Sequence, residues 1–141
     1  MEISSESERG LNRDVEDMNA QKTILIAEPA EALSTNLQAF AKDKGFALLK
    51  TGNLKETLLT LQGQRVDGLV LHAVLLEKDC EFISVIKGME RDLPVIICAD
   101  ANTAELESSI RKQGIFYYHI QSFGIEDLEM AISNAVNGLP H

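Results

Sequence analysis

Hydrophobic residues are concentrated in five short runs along the chain, and each run is followed by a stretch in which apolar residues recur at helical spacing. Continuous apolar runs of this length are typical of parallel strands that are buried on both faces. The pattern therefore predicts five β-strands, each followed by an α-helix. The predicted strands are Thr23–Glu28, Ala47–Thr51, Gly68–Val74, Pro94–Asp100 and Phe116–Ile120.

Residues that start or stop helices divide the segments between these runs. A first helix is expected over 32–44, because Gly45 suits the position just after a helix end. Asn53 can cap the start of the second helix with its side chain. The last helix is expected to begin at Ile125 and to extend to about Leu139.

This alternation predicts an α/β domain with a parallel sheet between two layers of helices, a three-layer α/β/α architecture. Right-handed crossovers and five strands favour the doubly wound, flavodoxin-like order 2-1-3-4-5. The crevice of that topology lies beyond strands one and three, so Glu28 and Ala73 are expected to face it. We assign the domain to residues 22–141, and expect the acidic, polar residues 1–21 to form a disordered tail.

Composition narrows the classes of function. The 141 residues carry a net charge of −9, and this argues against binding to nucleic acid, which usually requires a basic face. No apolar run approaches the ~20 residues of a membrane span, and residues 1–21 lack the features of a signal peptide. We therefore predict a cytoplasmic protein. The cysteines, Cys80 and Cys98, form neither a disulfide framework nor a zinc motif, and Cys98 is expected to be a small buried hydrophobe.

The predicted crevice contains few groups that could carry chemistry. The turn after the first strand, residues 28–31, has no glycine and so cannot bring backbone amides close to a nucleotide phosphate. His72 and His119 lie within strands, without a recognisable serine, histidine and acid arrangement, and are interpreted as structural. The sequence predicts no catalytic residue, no metal site and no cofactor, and hence no enzyme.

Several segments nevertheless form a specific combination. They are an apolar first strand ending in an acid, Ile24–Glu28; a glycine-led third strand, Gly68–Leu71; a proline-led fourth strand, Leu93–Ile97; and the spacing from Gly114 through Tyr118 to Phe123. In these features residues 23–139 resemble the receiver domain of bacterial two-component response regulators. The resemblance implies the flavodoxin-like fold and a role in signal transduction.

The resemblance also implies which positions would carry out the family's aspartyl phosphorylation. Carried over by motif, the magnesium-binding acid pair falls on Glu28 and Pro29, the phosphoacceptor on Ala73, the hydroxyl on Ala99, the lysine on Gln121 and the switch aromatic on Tyr118. Alanine has no oxygen to phosphorylate, and glutamine cannot neutralise a phosphoryl charge. One carboxylate is a poor magnesium site. We expect these positions to be inactive.

The sequence therefore favours a receiver-like module that is not phosphorylated and binds a protein partner. The resemblance places its interaction face at Thr103–Gly138, and leaves open a homodimer. Two alternatives remain: phosphorylation at a displaced acid, Asp79 or Asp100, and a sensor that takes a neutral or apolar small ligand in the vacated crevice.

Overall fold

The computed structural model describes residues 21–77, 81–100 and 104–141, and all five predicted strands form within them. They are β1 (Thr23–Ala27), β2 (Ala47–Thr51), β3 (Gly68–His72), β4 (Val95–Ala99) and β5 (Tyr117–Ile120). The strands make one parallel sheet in the order β2-β1-β3-β4-β5. This is the predicted order 2-1-3-4-5, and the flavodoxin-like fold is confirmed.

Five α-helices connect the strands or follow the last one. They are α1 (Ala32–Lys44), α2 (Leu54–Gly63), α3 (Phe82–Met89), α4 (Ala104–Arg111) and α5 (Ile125–Val136). Gly45 ends α1 in the left-handed conformation, with φ of 75°, which glycine adopts without steric cost. The side chain of Asn53 caps α2 by accepting the backbone N–H of Glu56 at 2.8 Å.

Two predicted boundaries were wrong by two residues or more, whereas the first, fourth and fifth strands differ from the prediction by a single residue at one or both ends. The third strand ends at His72 instead of Val74, because the chain turns there into a 3₁₀ helix, Ala73–Leu76. The last helix ends at Val136, since Gly138 adopts a φ of 72°, and Leu139 lies beyond it with half of its surface exposed. In both places a local backbone turn interrupts an apolar pattern that continues in the sequence.

The two faces of the sheet are covered by different helices. Helices α2, α3 and α4 pack on one face, which we call the three-helix face, against an apolar cluster that includes Leu25, Leu71, Ile97 and Ile110. Helices α1 and α5 pack on the other, the two-helix face, against Ile26, Val70, Ile96 and Ile132 among others. Both clusters are buried, so the sheet is the middle of three layers.

Some predictions fall on parts of the chain that the structure does not describe. Residues 1–20, which make up nearly all of the predicted tail, lie outside the described residues, as do Asp79, Cys80 and Thr103. Within the described residues, no helix combines the length and the apolar character that crossing a membrane requires.

Candidate functional site

Among the positions carried over from the resemblance, Glu28 is the one that carries a carboxylate, and it is bound to the start of α1. Its Oε1 accepts the backbone N–H of Leu33 at 3.0 Å, and its Oε2 accepts that of Ser34 at 2.9 Å. Only 1% of the residue is exposed. Backbone N–H groups in the first turn of a helix have no partner within the helix, and a carboxylate there also interacts favourably with the helix dipole. Glu28 therefore works as a helix cap from the end of β1.

The other positions carried over from the family lie around the same edge. Pro29 is exposed and lines a cavity with Glu28 and Gln121. Ala99 lines a second, adjoining cavity, which Gln121 also borders. Ala73 does not face the crevice as predicted: it is buried at 4% exposure in the apolar cluster of the three-helix face, while its neighbours His72 and Val74 line the cavity. Four of the five positions therefore line the two cavities, and Ala73 does not.

The two cavities together form what we call the strand-end crevice. The smaller has a volume of about 180 Å³ and reaches inward between the sheet, α1 and α5. The larger, about 450 Å³, opens beside the turn at residues 28–32. They share four lining residues, Leu33, His72, Asp100 and Gln121. The crevice lies at the carboxyl ends of the strands, where ligand sites of open α/β sheets are found.

His72 joins two strand ends across this crevice. Its Nδ1 accepts the backbone N–H of Val74 at 3.1 Å, and its Nε2 lies 3.2 Å from Oδ1 of Asp100. Because Nδ1 acts as an acceptor, the ring proton lies on Nε2, and Nε2–H donates a hydrogen bond to Asp100. Asp100, one of the two alternative phosphoacceptors, is thus the hydrogen-bond partner of a histidine.

Three side chains form a row on the two-helix face. In the sheet register Cys98 pairs with His72 on one side and with His119 on the other, so the three lie at one level on adjacent strands. Burial raises the pKa of the Cys98 thiol, and the carboxylates of Glu28 and Asp100 raise it further. Burial lowers the pKa of His119, although the Asp127 carboxylate opposes this. Cys98 and His119 are therefore both neutral at pH 7.

The row does not form a metal centre. In residues 21–77, 81–100 and 104–141, no group of three or more His, Cys, Asp or Glu side chains is arranged to hold a metal ion. Cys98 is buried, as predicted from its apolar surroundings.

Tyr118, the predicted switch aromatic, is buried at 4% exposure beneath the end of α4. The Arg111 guanidinium lies 5.3 Å from the centre of its ring, a cation–π arrangement, and Arg111 also pairs with Glu107 one turn earlier at 2.6 Å. Tyr118 is therefore part of the core and not of the exposed surface. Phe123, three residues after the end of β5, is by contrast exposed, with 66% of its surface accessible.

The sequence reading missed both the His72–Asp100 pair and the His72–Cys98–His119 row. Each histidine was interpreted alone, as a residue inside a strand. The signal that could have found the row was the register of the strands, because His72, Cys98 and His119 each come two residues or fewer before the end of an apolar run. If the carboxyl ends of the strands are aligned and residues are counted back from them, the three residues fall side by side on adjacent strands.

Comparisons with known proteins agree with this geometry at the level of the fold. No family model matches the chain, and no curated protein matches it. Among solved structures, the signal receiver domain of an HD domain-containing protein from Pseudomonas fluorescens Pf-5 is similar, with a TM-score of 0.75 and 18% identity over 84% of this chain and 96% of that one.

Two further structures show the same likeness. A CheY-like response regulator receiver domain protein from Methanospirillum hungatei has a TM-score of 0.75 and 14% identity, covering 84% of this chain and 96% of its own. An orphan response regulator of H. pylori has a TM-score of 0.72 and 21% identity, covering 82% and 96%. At these identities the likeness establishes the architecture alone: the chain has the fold of response regulator receiver domains.

Proposed function

We propose that this chain is a receiver-fold signalling module that acts by binding a protein partner and is not phosphorylated on aspartate. The observation that carries the proposal is the state of the strand ends. The residue carried over as phosphoacceptor is Ala73, whose side chain is a buried methyl group. The retained acid, Glu28, has both carboxylate oxygens engaged by the first turn of α1. Phosphoryl transfer to a carboxylate needs an acceptor oxygen, a positioned cation and a charge-neutralising group, and these positions supply none of them.

The alternative of a displaced acceptor is weakened by the surroundings of Asp100. Its carboxylate accepts a hydrogen bond from His72, and the positions that would bind phosphoryl oxygens beside it are Ala99 and Gln121. Neither residue brings a positive charge to balance a phosphoryl group. Asp79 lies outside the described residues and is therefore tested directly below.

The partner surface that we propose is the described part of the predicted face, residues 104–138. It contains five carboxylates, Glu105, Glu107, Glu126, Asp127 and Glu129, against two bases, Arg111 and Lys112. An acidic face with exposed apolar groups, such as Phe123, fits a partner that presents basic residues around an apolar contact. Dimers occur among the similar structures, as in the beryllofluoride-activated NtrC4 receiver domain dimer, and a second copy of this chain is the competing occupant.

The first experiment measures phosphorylation. The full chain is incubated with acetyl phosphate and Mg²⁺, and its intact mass is recorded. We expect no gain of a phosphoryl group, because Ala73 offers no acceptor oxygen and neither Ala99 nor Gln121 supplies a positive charge. A stoichiometric gain that disappears in Asp79→Asn or Asp100→Asn would establish the displaced acceptor and overturn the proposal.

The second experiment locates the partner surface. Partners are captured on the native chain and on the double variant Glu105→Lys/Asp127→Lys, both exposed positions on the proposed face. The matched control is Glu81→Lys/Glu90→Lys, at exposed positions flanking α3. We expect the first pair to lose the partner and the control to keep it. Sedimentation of the same proteins separates a homodimer from a different partner. Loss of binding in the control alone contradicts the assigned face.

A further inference from the structure

The smaller cavity of the strand-end crevice has mixed walls. Leu33, Ile125 and Leu128 provide apolar surface from α1 and α5, and Cys98 provides its uncharged thiol from β4. Asn36, Asp100 and Gln121 are exposed and border the same space. The cavity is therefore closed on the protein side and open to solvent at a polar rim. Small-molecule sites in proteins have this organisation, with apolar walls and a few convergent polar groups.

His119 is the polar group deep in this cavity. Only 2% of the residue is exposed, and its Nδ1 is buried with no hydrogen-bond partner among the described residues. A buried polar atom without a partner loses the hydrogen bond it would have made to water, at a cost of about 1–3 kcal/mol. Because the great majority of such atoms are satisfied in native proteins, the unpartnered nitrogen leaves His119 with unused hydrogen-bonding capacity beside the cavity.

The charges around the cavity restrict what can occupy it. The carboxylates of Glu28 and Asp100 both raise the pKa of Cys98, so the potential at the cavity is negative. An anion is disfavoured there, and no lysine or arginine lines the cavity to offset the repulsion. The neutral His119 ring has one nitrogen that donates and one that accepts. A hydroxyl group or an azole ring can both donate and accept a hydrogen bond, so it can pair with the buried nitrogen whether that nitrogen carries the proton or not.

We propose that this cavity binds a small uncharged molecule about the size of a single ring, which directs a hydroxyl group or ring nitrogen at His119 and places its apolar body against Leu33, Ile125 and Leu128. The volume agrees with this size, since the cavity measures about 180 Å³ and a protein cavity of about 150 Å³ is known to hold benzene. His119, Gln121, Ile125 and Leu128 line the cavity and also fall within residues 104–138, the range of the proposed partner surface. Binding of a small molecule is measured without any partner, so this proposal stands or falls independently of the proposed function.

The test uses phenol as the probe and the isotope-labelled full chain. Amide chemical shifts are followed during titration with phenol, with benzene and with benzoate. A ligand of this size is expected to bind with a dissociation constant on the order of 1 mM. We expect saturable shifts at Leu33, Cys98, His119 and Leu128 with phenol. Benzene, which lacks the hydroxyl group, should bind about five-fold more weakly. Benzoate should not bind.

Two variants assign the shifts to the cavity. Ile125→Trp places a larger side chain at the cavity wall and should abolish phenol binding. His119→Phe removes the ring nitrogens and should make phenol and benzene equal, whereas the matched control His141→Phe, at a residue that does not line the cavity, should leave the preference intact. If His119→Phe does not fold, the comparison of phenol with benzene on the native chain still decides the role of the polar group.

Three results would overturn the proposal. The first is the absence of saturable shifts at phenol concentrations about ten times the expected dissociation constant, which would mean that water alone satisfies His119. The second is phenol binding that survives in Ile125→Trp, which would place the probe elsewhere. The third is equal affinity of the native chain for phenol and benzene.

Discussion

The two faces of the sheet are built alike through most of their length and differ at the carboxyl edge. On the three-helix face, the last buried residues of the central strands and of the segment after β3 are apolar, among them Ala27, Ala73 and Ala99. On the two-helix face the corresponding level carries Glu28, and beside it the row of His72, Cys98 and His119. In the central strands, the three-helix face therefore stays apolar up to its carboxyl edge. The two-helix face is apolar up to the level of Ile26 and Val70, and the next level carries polar side chains. The difference separates the residues that support the fold from those available for binding.

The largest effect that we expect contrasts the two faces directly. Leu71→Ala removes a fully buried side chain from the three-helix face and should lower the free energy of unfolding by about 2–5 kcal/mol, because it leaves a cavity. Cys98→Ala on the two-helix face removes a single sulfur atom and should cost about 1 kcal/mol. Urea denaturation measures both. Leu59→Ala, at a position with 57% exposure, is the control and should change stability by less than about 0.5 kcal/mol. A loss in Cys98→Ala as large as that in Leu71→Ala would mean that the level of Cys98 is packed as tightly as the core and would remove the distinction drawn at the carboxyl edge.

A smaller effect tests Glu28 as a structural group. Glu28→Ala leaves the backbone N–H groups of Leu33 and Ser34 without their acceptor and should lower the free energy of unfolding by about 1–3 kcal/mol. Glu28→Gln keeps one acceptor oxygen and should fall between this variant and the native chain.

The neighbouring acid provides the control for Glu28. Glu31 precedes α1 directly but makes no capping hydrogen bond with its side chain, and it is exposed. Glu31→Ala should therefore change stability by no more than about 0.5 kcal/mol. A loss as large as that of Glu28→Ala would mean that general charge at the helix start, and not the two hydrogen bonds, stabilises α1.

The smallest effect concerns pH. Burial holds the pKa of His119 below its ordinary value of 6.5, so the folded chain binds a proton less readily there than the unfolded chain does. The contribution of His119 to stability is therefore fully present above pH 6.5 and is lost as the pH falls below that value toward the folded-state pKa. The slope reaches at most about 1.4 kcal/mol per pH unit. Urea denaturation between pH 7 and pH 5 should show a weaker dependence in His119→Phe than in the native chain or in His141→Phe. An identical dependence in all three would contradict the assignment.

The sequence was sufficient for the architecture because the signals for it are local. Helix α1 was predicted at 32–44, with its end at Gly45, and β2 at Ala47–Thr51, both as observed. The order of the strands followed from their number and the handedness of the crossovers. The predicted ends of the third strand and of the last helix were wrong, because the apolar pattern continues past His72 and up to Leu139 while the backbone turns.

The site could be predicted only in part, because its contacts depend on side-chain direction and register. Glu28 was expected at the crevice, but its use as a cap for α1 depends on the path of the backbone over residues 29–33. The partners His72 and Asp100 are 28 residues apart in the sequence, one at the end of β3 and the other just after β4. The burial of Tyr118 under Arg111 follows from the packing of α4, which no pattern within β5 indicates.

If the chain is not phosphorylated, as we propose, the capping role of Glu28 makes aspartyl phosphorylation difficult to introduce. Introducing an acid by Ala73→Asp would require the new carboxylate to leave an apolar cluster, and a cation bound by Glu28 would compete with its two hydrogen bonds to α1. Such a variant would then exchange stability of the first helix for catalysis, and would still lack a hydroxyl at Ala99 and a positive charge at Gln121. A phosphorylatable form of this chain would therefore require several simultaneous substitutions, and the first of them would have to provide a new cap for α1.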